Sequence, residues 1–410
     1  MYFKTNQQNK ISKDTLILLM CLFYPALNSY VWRALVSLTG MVGVYFSVQV
    51  FDAIVWSIVI GYIVITARKS TIKVKDLMVT LMFVLVALLC FVFTEYVYFS
   101  VPVLLTLSIG TFSFYILGSS VDIERVSHKQ LYIAAIVTLI ISVFYLIYFV
   151  ASKEVKLNDN MDFAYKVLPS VLVIVSRLFT DQKKKLAIVF SVIGTIFLLL
   201  QGTRGPLFCL AFFACLMLYK KHGIGKFFFK IVIIVLILAI IFSSQFVKIK
   251  IVELSDKIDS SGYSSRFITM MIEGDLLDGN GRDAIKETLL EDIKEYPFAI
   301  RGMFADRQAT RGLVDQEYST GYKNGTYAHS LWIEMIYDWG VLLGGVFLLL
   351  VLFVVGNFIR KSNEQDAYIG MLFVCTGFVH LFFSGSYLQS ADFFFLMGIA
   401  LNRYYVKAKT

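Results

Sequence analysis

The stretch that decides the fold is residues 331–359, which read LWIEMIYDWGVLLGGVFLLLVLFVVGNFI. From Val341 to Ile359 this stretch contains no charged residue. A helix of about 20 apolar residues crosses roughly 30 Å of hydrocarbon while it satisfies its own backbone hydrogen bonds. The stretch therefore predicts a transmembrane helix, and apolar runs of about 17 to 25 residues, the length that spans a bilayer, recur along the chain.

The composition indicates the same class of protein. Of 410 residues, 58% are hydrophobic and 16% are charged, so water could not solvate this chain as a compact globule. The apolar runs lack the polar–apolar alternation of barrel strands. The first run is not followed by a small-residue cleavage site, so it is interpreted as a retained helix. We predict an all-α, polytopic helical membrane protein with about twelve transmembrane helices.

Clusters of Lys and Arg alternate with poorly basic turns and predict the topology. Cytoplasmic loops carry the basic residues, so both termini are expected in the cytoplasm, and the net charge of +9 needs no nucleic-acid partner. Between Asp14 and Ala67 we predict two helices with a partly buried connection around Asn28 to Trp32. The other spans are predicted near 76–97, 100–119, 130–150, 163–180, 186–203, 205–220, 227–246, 331–359, 367–384 and 390–406.

A long polar segment interrupts this pattern. The topology places it outside the membrane and divides the chain into an N-terminal transmembrane bundle (1–246), a large extracytoplasmic loop (247–328) and C-terminal transmembrane helices (329–410). The loop contains many acidic residues together with Arg282, Arg301, Arg307 and Arg311. Ionisable groups concentrated at one face of a membrane protein indicate a functional site.

Residues 281–297 of this loop predict an amphipathic helix. Its apolar residues recur at helical spacing at Ile285, Leu289, Ile293 and Tyr296. Pro297 ends the helix. Arg282 would lie at the helix N-terminus, where free amides and the helix dipole favour an anion. The alternative is an ordinary exposed charge that caps a surface helix.

Arg204 occupies a predicted outer turn, LQGTRGP, between two spans. Its planar guanidinium suits bidentate binding of a phosphate group, and the adjacent Gly202 and Gly205 allow a ligand to approach the backbone. The alternative is an arginine that extends to lipid headgroups. The predicted topology places Arg204 on the same membrane side as the polar loop.

His329 stands at the downstream edge of the loop, where the next apolar helix starts. An imidazole can take a proton near neutral pH, although a histidine at a helix start is more often structural. Tyr327, Glu334 and Asp338 are candidates to orient it. Arg301 and Arg307 are further candidates for substrate binding.

The sequence lacks the motifs of several common classes of enzyme and transporter. No histidine pair has metal-ligand spacing, and there is no P-loop, Gly-x-Ser-x-Gly elbow or dinucleotide fingerprint. We therefore predict neither a metal nor a cofactor, and ATP-driven transport and serine hydrolysis have no support.

At these residues the chain resembles the O-antigen ligase and Wzy-type polysaccharide polymerase superfamily of bacterial membrane glycosyltransferases. The hydropathy profile, with a large outer loop before the last helices, extends the resemblance over nearly the full chain. The usual His-Asn of the family reads His329-Ser330 here, and Pro206 stands where apolar residues are common. The motifs that carry the resemblance are the Arg204-Gly turn, Gly281-Arg282 opening a helix that ends in Glu-Tyr-Pro297, the Gly302 turn, and His329 followed by Trp-Gly340-Val-Leu-Leu-Gly344.

The resemblance implies a GT-C-like enzyme in the bacterial cytoplasmic membrane with an extracytoplasmic active site. It implies transfer of a glycan from undecaprenyl pyrophosphate to an acceptor hydroxyl, without a metal. Arg204 and Arg282 would bind the pyrophosphate, and His329 would act on the attacking hydroxyl. A flippase and a chain-length regulator are the protein partners that such an enzyme would have.

Three alternatives remain at this point. A polymerase joins two lipid-linked repeat units, whereas a ligase passes the finished glycan to a lipid A core or a protein; we favour the polymerase. A lipid-linked oligosaccharide flippase would more typically carry charges within several spans. A non-enzymatic assembly subunit would leave the convergence of Arg204, Arg282 and His329 unexplained.

Overall fold

The computed structural model describes residues 11–39, 74–93, 101–152, 161–180, 185–201, 203–221, 282–311, 326–361 and 364–407, with a few isolated residues between these ranges. These residues form helices, turns and connections, and they contain no β-strand. The prediction of an all-helical chain is therefore confirmed for the described part.

The helices are numbered in chain order. The first are α1 (Lys13–Thr39), α2 (Val74–Phe93), α3 (Val101–Leu105, Thr106–Phe112 and Ser113–Ser120), α4 (His128–Ser152), α5 (Met161–Thr180), α6 (Lys185–Leu200) and α7 (204–221). The others are α8 (Arg282–Glu295), α9 (Ala305–Ala309), α10 (Leu331–Lys361), α11 (Glu364–Phe373, Val374–Val379 and His380–Phe383) and α12 (Ala391–Lys407). The central parts of α3 and α11 are π-helical.

Several helices are long and apolar enough to cross a membrane. Among the described residues these are Val74–Val92, Val103–Ser120, His128–Tyr148 and Leu331–Lys361, and shorter apolar helices cover Lys185–Leu200, Tyr368–Phe383 and Ala391–Asn402. Predicted spans on described residues coincide with helices to within a few residues. The span predicted at 227–246 lies outside the described residues, so the total of about twelve stays a prediction.

The chain divides into two compact units. In the first, formed by Met1–Gly40 and Val121–Thr269, helix α5 packs against α1, α4 and α6. The α5 side chains Leu168, Val171 and Leu172 are fully buried. Helix α5 therefore forms the core of this unit. Arg177, near the end of α5, donates from Nη2 to the carbonyl oxygen of His128 at 2.9 Å.

The predicted connection around Asn28 to Trp32 was wrong, because α1 continues through it as one helix. Tyr30 explains the difference. Its ring packs 4.8 Å from the Tyr145 ring and 5.2 Å from the Phe163 ring, measured between centroids. Burial of this aromatic side chain stabilises helical backbone where local propensity alone favours a turn.

The second unit contains Met41–Ser120 and Met270–Thr410. Here α12 packs along the last part of α3, and Asn402 donates from Nδ2 to the Ser119 carbonyl oxygen at 2.7 Å. The rings of Phe83, Phe112 and Phe394 form a cluster with centroid distances of 5.1 to 5.5 Å. These contacts fix the position of the turn that precedes α12.

Helix α10 is broken at Gly340, which has φ 73° and ψ 165°. The break exposes backbone groups that a nearby loop satisfies. The amides of Arg301 and Gly302 both donate to the Asp338 carbonyl oxygen at 2.9 Å, and the Val341 amide donates to the Pro297 carbonyl oxygen at 2.7 Å. Because neighbouring backbone supplies these bonds, a broken helix is tolerated here.

Candidate active site

A buried ionic cluster connects α9 to the start of α10. Arg307 on α9 donates from Nη1 to Asp306 Oδ1 at 2.5 Å and to Glu334 Oε1 at 2.8 Å. All three side chains are buried, and the guanidinium lies 4.6 Å from the centroid of the Phe304 ring. Such a cluster holds its parts in one geometry because an unpaired charge in this environment is costly.

The same cluster extends to the turn before α12. Glu334 accepts a short hydrogen bond from the Ser386 hydroxyl, and its Oε2 accepts from the Tyr387 amide at 3.0 Å. Asp338 Oδ2 accepts from the Tyr387 hydroxyl at 3.1 Å, and that hydroxyl accepts from Trp339 Nε1 at 2.8 Å. Burial, followed by the nearby carboxyl groups, raises the pKa of Tyr387 well above its ordinary value, so the hydroxyl remains a donor.

Polar contacts fix the segment that carries His329. Asp306 Oδ2 accepts from the Ala328 amide at 2.8 Å. The Thr310 hydroxyl donates to the Thr326 carbonyl oxygen at 2.6 Å and accepts from the Thr326 amide at 2.9 Å. His329 then has φ 52°, in the left-handed region. A non-glycine residue held there by its surroundings is typical of functional sites.

The His329 imidazole is nearly enclosed, with 6% of the residue exposed. Nε2 lies 3.5 Å from Thr326 Oγ1, the Tyr327 ring centroid lies 4.0 Å from the imidazole centroid, and Nδ1 has no hydrogen-bond partner among the described residues. Burial, followed by the charges of Arg282, Arg307 and Lys286, lowers the pKa of His329 to about 3. The imidazole of the unliganded protein is therefore neutral.

This result corrects one sequence-based expectation. His329 does not take a proton near neutral pH in the unliganded protein, because burial and neighbouring cations penalise the imidazolium. A neutral imidazole with an open nitrogen is still the form that accepts a proton. Its basicity increases if an anion offsets the nearby positive charges.

Helix α8 places cations next to this imidazole. Ile285, Leu289 and Ile293 are buried against residues that include Ile333 and Tyr337 of α10, which confirms the predicted amphipathic helix and its packing. Arg282 opens the helix and donates from Nη1 to the Phe383 carbonyl oxygen at 2.8 Å. Lys286 follows one turn later, so two cationic side chains lie at the start of this helix.

Two predicted features of the α8 region have a different role in the structure. Tyr296 is 55% exposed and does not belong to the buried stripe, because the helix ends at Glu295. Arg301 binds the end of α8: its Nε lies 3.1 Å from Asp292 Oδ2, and its Nη2 donates to the Asp292 carbonyl oxygen at 3.1 Å. Its guanidinium also covers the Tyr337 ring, 4.5 Å from the centroid. These contacts support a structural role for Arg301.

Arg204 belongs to the first unit and lies half-buried at the start of α7. The next residue, Gly205, packs against Tyr165 so closely that an added Cβ would lie 1.7 Å from the Tyr165 hydroxyl oxygen. This contact accounts for the glycine in the turn. The grouping of Arg204 with Arg282 and His329 stays a prediction from sequence topology.

The sequence did not reveal several members of the buried cluster. Asp306 and Thr310 come from one segment, and Ser386 and Tyr387 come from another; their only sequence signal is the adjacency of Asp306 to the candidate Arg307. Within the described ranges, no group of three His, Cys, Asp or Glu residues is placed to hold a metal ion.

Comparison with known protein families gives a match over part of the chain. Residues 189–349 match the family model Wzy_C, described as O-antigen ligase. No curated protein and no solved structure matches the chain. The matched segment includes α6, α7, α8 and His329, so the resemblance to the O-antigen ligase and Wzy-type polymerase superfamily is confirmed. Together with the apolar helices, it indicates a membrane protein with a glycan-transfer function of the ligase or polymerase type.

Proposed function

We propose that this protein, whose residues 189–349 match the O-antigen ligase model, is a polysaccharide polymerase. It transfers a glycan from undecaprenyl pyrophosphate to a hydroxyl of a second lipid-linked repeat unit. The reaction takes place at the outer face of the bacterial cytoplasmic membrane and uses a GT-C-like helical scaffold. The product is an O-antigen, capsular or exported polysaccharide.

The observation that carries this proposal is the environment of His329. The imidazole is neutral, and its Nδ1 is buried without a hydrogen-bond partner among the described residues. The charges of Arg282 and Lys286, which belong to the first turns of α8, contribute to lowering its pKa. Cations at a helix N-terminus favour an anion such as pyrophosphate. The bound anion would offset the positive charges that lower the pKa of His329, so donor binding would itself strengthen the base.

The reaction follows from this arrangement. The acceptor hydroxyl oxygen attacks the anomeric carbon of the donor, and its proton passes to His329 Nδ1. The bond between the anomeric carbon and the pyrophosphate oxygen breaks, and the pyrophosphate leaves with the bonding electrons. Arg282 and the α8 amides stabilise the charge that develops on the leaving group.

The remaining candidates have supporting roles in this proposal. Arg204 is proposed as a second pyrophosphate contact, on the grounds of the predicted topology and its glycine-flanked turn. Arg307 and Glu334 fix Asp306, which binds the segment that carries His329. Asp338 binds Tyr387 in the turn before α12. The Tyr327 ring packs on the imidazole and restricts its orientation.

A ligase is the second candidate function, because the matched family model carries that description. The two functions differ in the acceptor, since a ligase transfers the glycan to a lipid A core or to a protein. Both need the same donor site, so the geometry of His329 and Arg282 supports either one.

The test supplies purified protein in nanodiscs with a lipid-pyrophosphate-linked oligosaccharide repeat, with and without a lipid A core acceptor. A ladder of longer glycans from the lipid-linked repeat alone supports the polymerase. A single transfer that requires lipid A supports the ligase. Transbilayer movement of the lipid-linked repeat without any new glycosidic bond contradicts both and identifies a transporter.

A further inference from the structure

The turn that carries Arg204 also contains buried polar atoms with no assigned role. Gln201 follows α6, and only 2% of the residue is exposed. The backbone N–H of Gln201 donates to the Phe197 carbonyl oxygen at 3.2 Å. In the described part of the chain, the side-chain atoms Oε1 and Nε2 of Gln201 and Oγ1 of Thr203 are buried without a hydrogen-bond partner.

Buried polar groups in proteins are almost always hydrogen-bonded, because they lose their bonds to water. A lone buried serine such as Ser191, in the middle of α6, can rotate its hydroxyl towards its own helix backbone. The side-chain amide of Gln201 has both a donor and an acceptor to satisfy, and it stands at the end of its helix. Three unsatisfied atoms in one turn therefore indicate a site prepared for a ligand.

The residues that precede and follow Gln201 and Thr203 both pack against α5. Phe197, one helical turn before Gln201, is buried and packs 5.9 Å from the Phe163 ring, measured between centroids. After the turn, Tyr165 contacts Gly205 closely. Because α5 contributes both Phe163 and Tyr165, Phe197 and Gly205, which precede and follow Gln201 and Thr203, pack against the same buried helix. Preorganised polar groups of this kind bind a ligand at a low entropic cost.

We propose that Gln201 and Thr203 form a sugar-binding subsite that recognises the first sugar of the lipid-linked donor. This inference rests on the proposed function, in which Arg204 of the same turn contacts the pyrophosphate. A carboxamide and a hydroxyl offer both donors and acceptors without charge, which matches sugar hydroxyl or acetamido groups. Arg204 supplies donors alone, which match the adjacent phosphate.

The subsite gives the protein a means of selecting its donor. A site built to hydrogen-bond a polar ligand discriminates strongly against an analogue that lacks the group, because its own buried atoms then remain unpaired. The sugar next to the pyrophosphate would therefore contribute to donor affinity through Gln201.

The test measures binding to full-length protein in nanodiscs by competition with a fluorescent undecaprenyl pyrophosphate analogue. The probes are undecaprenyl pyrophosphate alone and the same lipid carrying N-acetylglucosamine, N-acetylgalactosamine, glucose or galactose. We expect wild-type protein to prefer at least one sugar-bearing form over the bare lipid by about tenfold or more, and Gln201→Leu to lose most of that preference. Thr203→Val should reduce the preference less, because it removes one hydroxyl.

Ser191→Ala is the matched control, since it removes an unsatisfied buried hydroxyl of α6, the helix that precedes Gln201, but should keep the full preference. Gln201→Leu should also unfold at the same temperature as wild-type protein or a higher one, because it replaces unpaired polar atoms with apolar ones. Equal affinity of wild-type protein for bare and sugar-bearing lipids, or an unchanged preference in Gln201→Leu, would overturn the subsite. Failure of wild-type protein to bind any of these lipids would instead overturn the proposed function.

Discussion

Arg307 donates from Nη1 to Glu334 Oε1 at 2.8 Å, and neither residue has more than 1% of its surface exposed. This hydrogen bond joins the short helix α9 to the first turn of α10. Since Asp306 of the same cluster binds the Ala328 amide, the ionic cluster also determines where His329 stands. The stability of the loop and the geometry of the candidate base are therefore linked.

Arg307→Met tests this link. The substitution leaves the buried carboxyl groups of Asp306 and Glu334 without their shared cation, so we expect a loss of about 3–5 kcal/mol in the free energy of unfolding. Thermal unfolding of purified protein in detergent measures the effect. Arg125→Met is the control, because Arg125 pairs with Asp122 at 3.0 Å with 74% and 42% of the two side chains exposed. Equal unfolding temperatures for the two variants would contradict the role of the cluster.

The break in α10 gives a second prediction. A Cβ at Gly340 would lie 3.1 Å from the Ala299 carbonyl oxygen, at a φ of 73°. Gly340→Ala should therefore lower the free energy of unfolding by about 1–3 kcal/mol. Gly345→Ala has open space around its Cβ and should be neutral, or stabilising by up to about 1 kcal/mol. A Gly340→Ala variant as stable as Gly345→Ala would show that the backbone of α10 is helical at this position.

The sequence was sufficient for features that arise from local pattern. The apolar run of α10 and the stripe Ile285, Leu289 and Ile293 of α8 both follow from the period of an α-helix and the need to bury apolar surface. The partners of Glu334 could not be read from the sequence. They lie 27 and 52 positions away, at Arg307 and Ser386, and only tertiary packing brings such distant residues together.

The conformation of His329 also escaped sequence analysis, for a different reason. Histidine is enriched among the non-glycine residues with left-handed backbone, but such residues are uncommon, so its residue type alone does not predict φ 52°. The same limit applies to its pKa, which depends on burial and on cations from α8 and α9. The contact of Arg301 with the end of α8 also depends on tertiary structure, whereas its predicted role in substrate binding stays a prediction.

The proposed contact between Arg282 and pyrophosphate gives a third prediction. Arg282→Lys keeps the charge but loses the planar fork that a phosphate group can bind at two points. We expect this variant to lose most of its polymer output at matched protein abundance. Arg311→Lys, which changes an exposed arginine of the same loop, should retain normal output. Equal polymer output from both variants would contradict the proposed role of Arg282 in binding pyrophosphate.

The buried imidazole makes stability depend on pH. The pKa of His329 is about 3 in the folded protein and close to 6.5 in an unfolded chain. Between these two pKa values the imidazole is protonated in the unfolded chain and neutral in the folded protein. The burial of His329 therefore does not reduce the free energy of unfolding above pH 6.5, and it reduces that free energy progressively as the pH falls. We expect the free energy of unfolding to drop by up to about 1.4 kcal/mol per pH unit below pH 6.5 because of this residue.

Thermal unfolding of wild-type protein and His329→Asn from pH 7.5 to pH 5 measures this dependence. Other titrating groups affect both proteins alike, so the difference between the two curves reports His329. Wild-type protein should lose stability more steeply on acidification. Parallel curves would mean that the imidazole titrates in the folded protein as it does in water.

The last prediction concerns turnover. Asparagine tolerates left-handed backbone better than most residues, so His329→Asn removes the base while the segment keeps its conformation. We expect unfolding at pH 7.5 and donor binding to remain close to wild type, and turnover to fall about 10²- to 10⁴-fold, the usual contribution of a positioned proton acceptor. His128→Asn, at the start of α4 in the first unit, is the control and should keep normal turnover. If His329 has only a structural role, the opposite combination follows, with a lower unfolding temperature and normal turnover per folded molecule. Both quantities are measured on the same purified preparation, and normal turnover there would exclude His329 as the base.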